Sequence, residues 1–294
     1  MLLDALAFVL FYLFYGMTAI FPEKFVYFFA HPLAWMAEKI FPSKKKETCE
    51  RIRFAFPELS GKEVERIFRE MVKHIIWTVM EGMYFLRRGK KWLAQAIEYN
   101  PLPGMAGIEE YRDKGRIFFS GHIGNWELLG AWLVSQGIPL VVVEKPQRSL
   151  WVRRVLEALR TRAGLEWMSK DEVDFRELVR ALRNGKSVGL ISDQNAGKRG
   201  ILVEFFGRKT STFQGVAYLQ KVTGNPVVPI FALREKPGKL RVEILPPLNF
   251  QWNKHKKEEA LEENLRQHNA TLEDMIRKQP EQWLWLHRRW RENE

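Results

Sequence analysis

The sequence lacks most of the patterns that would assign a function directly. It has one cysteine, Cys49, so no disulfide can form within the chain, and its cysteine and histidines do not show the spacing of a zinc site. The patterns G-x-x-x-x-G-K-[ST] and G-x-G-x-x-G are absent. One G-x-S-x-G match occurs at 185–189, but it opens a predicted strand, whereas a nucleophile elbow follows a strand and precedes a helix. These observations argue against a nucleophile-elbow hydrolase, a P-loop protein and a dinucleotide-binding fold. We therefore expect neither a metal nor a cofactor.

Basic and aromatic residues, in contrast, are abundant. The chain of 294 residues has a formal net charge of +12 and contains 11 Trp and 20 Phe. Positive charge favours an anionic partner, such as nucleic acid, a membrane surface or a phosphorylated substrate. A site for single-stranded nucleic acid would interleave aromatic residues with basic ones. Here the aromatic residues concentrate in apolar runs, so we predict no nucleic-acid partner.

The N-terminal region is the most apolar part of the chain. Residues 1–21 read MLLDALAFVLFYLFYGMTAIF, which is close to the roughly 20 residues that cross a bilayer. The run has no basic segment or cleavage site typical of a signal peptide, so it predicts a membrane anchor, with a buried helix as the alternative. Residues 24–41 are interrupted by Pro32 and charged residues and predict a pair of interfacial helices. The lysines at 44–46 predict that this side is cytoplasmic.

The remainder of the chain alternates between helical and strand patterns. A capping box at Ser60 and Glu63 begins a long amphipathic helix. We predict strands at 116–122, 139–145, 186–193, 226–233 and 240–248, and further helices at 125–136, 150–162, 175–183, 211–224 and 256–278. This alternation predicts an α/β fold with a central, mostly parallel sheet flanked by helices. The membrane-associating segment 1–42 would precede a catalytic domain at 43–294, with functional loops at the carboxyl ends of the strands.

The stretch GHIGNWELLG, residues 121–130, follows the first of these strands. His122 lies in a glycine-flanked turn, Asn125 is a good helix N-cap, and Glu127 falls in the first helical turn. Residues five apart on one helix diverge by about 140°, so His122 and Glu127 meet only if His122 precedes the helix. The helix N-terminus favours an ionised Glu127 and a neutral imidazole. The pair is therefore a candidate general base with its orienting carboxylate; the alternative is a capped loop.

Several segments together resemble one known family. They are RFAFPELS, MEGMYF with Glu81, SGHIGNWELLG, LRTRAG, SDQNAG, VEFFGRKTSTFQGVAYL and EQWLWLHRRW. Almost the whole chain resembles the bacterial lipid A biosynthesis acyltransferases of the late lauroyl and myristoyl type. This resemblance implies His122 as catalytic base with Glu127 as its carboxylate. It also implies substrate-binding roles for Arg160, Asp193 and Gln194, although some relatives have His at the position of Gln194.

The activity that the resemblance implies is transfer of a fatty acyl chain to a hydroxyl of a glycolipid precursor. The donor would be an acyl-carrier protein or acyl-CoA thioester, and the site would be the cytoplasmic face of the bacterial inner membrane. Three other functions stay open at this stage. The acceptor could be a phospholipid or a mannosylated lipid, the acceptor could be water, or the protein could bind a membrane without catalysis.

Overall fold

The computed structural model describes residues 2–105, 107–170 and 174–290, without the side chains of residues 2–8 and 10. The strands formed there are β1 (Ile97–Tyr99), β2 (Ile117–Ser120), β3 (Leu140–Glu144), β4 (Glu166–Ser169), β5 (Ser187–Ile191), β6 (Ile201–Phe205), β7 (Arg208–Thr212), β8 (Val227–Lys236) and β9 (Lys239–Ile244). The α-helices are α1 (Leu2–Ile20), α2 (Glu23–Phe28), α3 (Ala30–Ile40), α4 (Pro42–Ala55), α5 (Gly61–Ala96), α6 (Trp126–Ser135), α7 (Leu150–Ala163), α8 (Phe175–Arg183), α9 (Gly215–Thr223) and α10 (Lys257–Lys278).

A seven-stranded sheet forms the centre, in the order β1-β9-β8-β2-β5-β3-β4. All neighbours in it are parallel except β8 and β9, so the predicted mostly parallel sheet is confirmed. Strands β2 and β8 are buried along most of their length. Such continuous apolar runs are expected in a parallel sheet because helices cover both of its faces.

Helices cover each face of the sheet with a separate apolar core. On one face, α8, α9 and α10 pack with the first half of α5. On the other, α6 and α7 pack with the second half of α5. The predicted capping box begins α5: the Ser60 backbone N–H donates to Glu63 Oε2 at 2.8 Å, and the Glu63 N–H donates to Ser60 Oγ at 3.4 Å. The backbone of α5 breaks at Gly89, where φ is +66°.

The prediction of a helix over 211–224 was wrong at its start. Ser211 and Thr212 belong to β7, which pairs antiparallel with β6 in a separate two-stranded hairpin, and α9 begins only at Gly215. Phe206 and Gly207, both with positive φ, form the hairpin turn. Strands β1 and β4 were also missed because each is only three or four residues long.

The N-terminal region folds as helices, and the two helices predicted over 24–41 are present as α2 and α3, while their interfacial position stays a prediction. Val26 and Ala30 are fully buried, and the Trp77 indole N–H of α5 donates to the Tyr27 carbonyl at 3.1 Å. Met1 lies outside the described residues. Among the residues that are described, no helix combines the length and the apolar character needed to cross a bilayer, so the predicted spanning segment is not supported.

The same helices expose many large apolar side chains. These side chains form the surface that we call the apolar N-terminal face: Val9, Tyr12, Leu13, Ile20, Phe21, Phe25, Phe28, Trp35, Met36, Ile40 and Phe41, each at least 40% exposed. Most of the large apolar side chains exposed elsewhere are scattered singly, which is ordinary for a protein surface. The lysines that follow this face are partly neutralised, because Lys45 pairs with Glu38 at 3.1 Å and with Glu65 at 3.3 Å.

Candidate active site

His122 and Asp193 meet because two neighbouring parallel strands end at the same edge of the sheet. Strands β2 and β5 pair in register, with Ser120 opposite Ile191. Continued two residues beyond each strand, this register brings residues 122 and 193 side by side. The Ser192 backbone N–H donates to the Ser120 carbonyl at 3.1 Å and continues the ladder into the turn. The site therefore lies at the carboxyl edge of the sheet, where parallel sheets generally place their functional groups.

Three hydrogen bonds converge on the Asp193 carboxylate. Oδ1 bonds His122 Nδ1 at 2.8 Å, while Oδ2 accepts from the His122 backbone N–H at 2.9 Å and from the Trp283 indole N–H at 2.7 Å. The residue is 2% exposed. Burial alone would raise the pKa of this carboxyl, but the His122 ring and the three hydrogen bonds outweigh burial and hold the pKa well below its usual range. Asp193 is therefore an ionised acceptor.

The Asp193 carboxylate fixes the His122 ring in one tautomer. An ionised carboxylate only accepts hydrogen bonds, so the proton lies on Nδ1 and the lone pair on Nε2. Among the described residues none bonds to Nε2, and the side chain is 21% exposed, so the ring is not fully enclosed. Burial lowers the pKa of His122, but Asp193 and then Glu127 raise it by a larger amount, so the pKa lies above the ordinary value. Trp126 contacts the ring edge-on at 4.9 Å.

The turn that carries His122 is locked to β8. Gly124 has a φ of +65°, and a Cβ at this position would overlap the Ala232 carbonyl oxygen. That carbonyl accepts from the Asn125 backbone N–H at 2.9 Å. Asn125 caps α6 as predicted, because its Oδ1 accepts from the Leu128 N–H at 3.0 Å. The close approach of two backbones explains why a glycine is needed at 124.

Glu127 makes a different contact from the one that the sequence predicts. The hydrogen bond expected between Glu127 and the His122 ring is made by Asp193 instead. Glu127 forms an ion pair with Arg160 of α7. The Arg160 Nη2 atom lies 3.2 Å from Glu127 Oε1 and 3.4 Å from Glu127 Oε2. Nearby carboxylates also raise the pKa of the imidazole, which is opposite to the direction expected from the helix N-terminus. Glu127 acts on His122 through its electric field, without a direct bond.

Arg160 lies between two carboxylates. Its Nη1 pairs with Glu144, the last residue of β3, and its Nη2 binds Glu127. The side chain of Arg160 is 8% exposed. This arrangement connects the first turn of α6, which follows the His122 turn, to the end of β3. Glu144 was missed in the sequence, although its position at the end of a predicted strand was a usable signal.

A buried ion pair supports the turn from behind. Glu81 of α5 is fully buried and accepts from Arg234 Nε at 2.8 Å and from Arg234 Nη2 at 2.6 Å. The Asn125 Nδ2 donates to the same carboxylate at 2.7 Å. The carboxylate is thereby connected to the residue that caps α6. A buried pair is tolerated when further hydrogen bonds satisfy both charges, as happens here.

His74 is the outer member of this buried network. Its Nδ1 lies 2.7 Å from Arg234 Nη1, and since an arginine only donates, Nδ1 accepts and the ring is neutral. Burial, followed by the charges of Arg234 and Lys73, lowers the pKa of His74 to about 2. Thr78 joins the network to the active-site turn, because its Oγ1 contacts the Gly124 carbonyl at 3.3 Å. His74 and Glu81 are therefore supporting groups of this network.

The residue after Asp193 is held by the end of the chain. The Gln194 carbonyl accepts from Arg289 Nη1 at 3.3 Å, and the Gln194 side chain is half-buried at the sheet edge. Arg289 is itself fully buried and also donates to the Ser211 carbonyl. Trp283 lies in the buried core and also donates to Asp193. No sequence signal linked it to a residue 90 positions away.

Among the described residues, no group of three or more His, Cys, Asp or Glu side chains could hold a metal.

Comparison with known proteins gives one family. A model of the bacterial lipid A biosynthesis acyltransferases matches residues 2–292. The chain is 24% identical over 259 residues to a lipid A biosynthesis acyltransferase of Haemophilus influenzae, which covers 86% of this chain and 77% of that protein. It is 25% identical over 283 residues to a lipid A biosynthesis lauroyltransferase of Escherichia coli, which covers 92% and 86%.

A shorter similarity involves a protein that is named for a different lipid. The chain is 28% identical over 129 residues to a phosphatidylinositol mannoside acyltransferase of Mycolicibacterium smegmatis, which covers 42% of each protein. The family model, in contrast, extends over almost the entire sequence. The protein described here therefore belongs to the bacterial lipid A biosynthesis acyltransferases and is an O-acyltransferase.

Proposed function

We propose that the protein transfers a fatty acyl chain from an acyl thioester to a hydroxyl of a lipid A-type glycolipid precursor. The thioester would be carried by acyl carrier protein or coenzyme A. One observation carries the proposal: the buried Asp193 carboxylate holds His122 by Nδ1, and no described residue bonds to Nε2 at the carboxyl edge of the sheet. A base that is oriented in this way contributes on the order of 10²–10⁴ to a reaction rate.

The proposed reaction needs no covalent intermediate with the enzyme. His122 Nε2 removes the proton of the acceptor hydroxyl while the oxygen attacks the thioester carbonyl carbon. The new C–O bond forms a tetrahedral intermediate, and its collapse breaks the C–S bond. The imidazolium then returns the proton to the departing thiolate, so the products are an ester and a free thiol. Asp193 stabilises the imidazolium between these two proton transfers.

The other predicted site residues have supporting roles in this proposal. The negative charge of Glu127 raises the pKa of His122, and Glu127 is in turn held by Arg160. Arg160 is also our candidate contact for a substrate phosphate or the developing oxyanion, since a guanidinium presents several donors in a fixed geometry. Gln194 follows Asp193 at the same edge, and we propose it as a further substrate contact.

We further propose that the apolar N-terminal face lies on the cytoplasmic leaflet of the inner membrane. Contiguous exposed apolar surface marks a site of protein or membrane contact. Helix α1 packs against α5 and also against α7, the helix that carries Arg160, so the face adjoins the element that borders the site. A vesicle-flotation assay tests this idea. Phe28→Ser with Trp35→Ser should weaken binding to vesicles with anionic lipid, and unchanged flotation would exclude the face as the contact.

The catalytic proposal is tested by a transfer assay with radiolabelled acyl thioester and a detergent-dispersed glycolipid acceptor. His122→Ala should lower transfer on the order of 10²–10⁴-fold while circular dichroism stays unchanged. Undiminished transfer by this variant would exclude the base. Release of free fatty acid without acceptor acylation would indicate a thioester hydrolase. Parallel reactions with carrier-protein and coenzyme A thioesters identify the donor.

A mannosylated lipid is the second candidate acceptor, favoured by the partial similarity to the mannoside acyltransferase. Mass spectrometry of lipids from cells that lack or express the protein separates the two. A lipid A precursor that gains one acyl chain supports the first proposal. A gain confined to a mannosylated lipid or a phospholipid would replace the acceptor and leave the proposed chemistry intact.

A further inference from the structure

A segment near the end of the chain, residues 280–285, passes directly behind the active-site turn. The Leu284 N–H donates to the His122 carbonyl at 3.0 Å, and the Gly124 N–H donates to the Gln282 carbonyl at 3.1 Å. Trp283 lies between these two contacts and forms an isolated bridge with Ile123. The segment thus holds the backbone on both sides of His122 and brings an indole ring to the Asp193 carboxylate.

Two tryptophans of this segment have similar surroundings but different hydrogen-bond acceptors. Trp283 and Trp285 are 1% and 0% exposed, and their ring centroids lie 4.5 Å apart in one aromatic cluster. Each indole N–H makes a hydrogen bond of 2.7 Å. Trp285 donates to the Pro280 carbonyl, a local contact within the segment, whereas Trp283 donates to the carboxylate that orients His122. A comparison of Trp283 with Trp285 therefore separates the effect of aromatic packing from the effect of the hydrogen bond to Asp193.

We infer that Trp283 is a positioning residue for the proposed acyl transfer, and that its indole N–H fixes the Asp193 carboxylate in the orientation that serves His122 Nδ1. The inference rests on the proposed function. Without the indole donor, Oδ2 keeps only the His122 backbone N–H, and that bond comes from the very residue that the carboxylate must hold in place. The indole is the donor to this carboxylate that does not belong to His122 and is anchored in the core.

Other charged groups surround the pair from several elements. Glu127, itself bound by Arg160, acts on it from α6, His268 from α10, and Arg289 from the segment after residue 285. Burial is the main reason that the pKa of His268 falls to about 4, so this ring is neutral near pH 7. These groups stay unchanged when only the indole N–H is removed, so the effect of that one donor can be measured.

Electrostatics gives the direction in which the pKa of His122 should change when the indole N–H is removed. The positive end of the indole N–H stabilises the negative carboxylate and opposes protonation of the neighbouring imidazole. Removing it leaves more negative charge available to His122, so the pKa of His122 rises. The base form then appears only at higher pH. The plateau value of kcat should fall as well, because a carboxylate with fewer fixed donors orients the ring less strictly.

The test compares Trp283→Phe with Trp285→Phe in the full-length enzyme, using acyl thioester and lipid acceptor. For Trp283→Phe we expect kcat to fall about tenfold, as the loss of one hydrogen bond to a charged group suggests. The acidic midpoint of the kcat/KM profile should rise by roughly 0.5–1 pH unit. KM should be unchanged, since the indole does not touch the substrate. The matched variant Trp285→Phe should shift neither kcat nor the midpoint.

A second variant tests the inference even if Trp283→Phe does not fold. Benzothienylalanine at position 283 replaces the N–H by sulfur and keeps the bicyclic shape, so it removes the donor alone. A wild-type profile for this variant would overturn the inference, as would equal shifts in Trp283→Phe and Trp285→Phe. Both results are distinct from failure of the proposed function, which His122→Ala with full transfer activity would reveal.

Discussion

Two histidines are connected to the same turn, residues 121–125, and their partners give them opposite properties. His122 bonds the Asp193 carboxylate, while His74 bonds the Arg234 guanidinium. Burial lowers the pKa of both rings. At His122 the carboxylates outweigh burial and raise the pKa, whereas at His74 the neighbouring cations add to burial and bring the pKa to about 2. The comparison shows that burial alone does not decide whether a histidine can take up a proton.

The charged neighbours therefore determine whether each imidazole can act as a base. His122 has a base nitrogen to which no described residue bonds and a carboxylate that stabilises the protonated form. His74 has its Nδ1 lone pair occupied by Arg234, so it serves as an acceptor within the core. Both rings are coupled to the turn at 121–125, one as its reactive group and the other as part of its support. Five substitutions, with Glu262→Gln as a control, can break or sharpen this contrast.

The largest effect is expected from the two histidines themselves. His122→Asn should lower kcat on the order of 10²–10⁴-fold, because the proposed base is lost. His74→Asn should keep kcat within about threefold, since the amide oxygen can still accept from Arg234. Steady-state transfer assays on both variants measure the contrast. Comparable losses in the two would show that His122 has no special role.

The buried support should matter for stability more than for chemistry. Glu81→Leu leaves the Arg234 side chain, which is 1% exposed, without its carboxylate. We expect the free energy of unfolding to fall by about 3–5 kcal/mol, the usual consequence of leaving one buried charge unpaired. Urea denaturation followed by circular dichroism measures the change. Glu262→Gln, in an exposed ion pair with Arg266, serves as the control and should cost less than about 1 kcal/mol.

The carboxylate beside His122 should control both rate and pH dependence. In the wild-type enzyme the acidic midpoint of kcat/KM should lie above 6.5, because the pKa of His122 is raised above that value. Asp193→Asn removes the charge responsible, so burial then dominates and the midpoint should move to lower pH. We also expect kcat to fall on the order of 10²-fold, because the amide can hold the wrong tautomer. A midpoint that stays in place would contradict the Asp193 assignment.

The smallest effect is expected from Glu127, which raises the pKa of His122 only through its field. Glu127→Gln should lower kcat by about tenfold or less and move the acidic midpoint in the same direction as Asp193→Asn, but less far. Measuring both variants under identical conditions ranks the two carboxylates. A larger loss for Glu127→Gln would return the orienting role to Glu127, as the sequence motif suggests.

Much of the architecture could be predicted from local pattern. The capping box at Ser60, the strand before His122 and the Asn125 cap are all short-range features, and each is present in the structure. The β6–β7 hairpin was missed in part because its final residues were assigned to the following helix. Short strands give too few residues for an alternation to be recognised.

The site itself could be predicted only in part. The choice between Glu127 and Asp193 as partner of His122 depends on strand order, and a sequence does not state that β5 lies beside β2. The motif spacing favours the residue near in sequence, while the parallel register favours the one 71 positions away. The Trp283 contact depends on how the end of the chain returns to the sheet, which no local pattern encodes.

The return of the chain end to the His122 turn has a consequence for biosynthesis. Residues 280–285 are translated after every strand of the sheet, yet they supply a donor to Asp193 and the backbone partner of the His122 carbonyl. A nascent chain that has not reached residue 280 therefore contains His122 and Asp193 but lacks the segment that holds them. A messenger that ends before codon 280 would encode a protein with the whole sheet and without a finished active site.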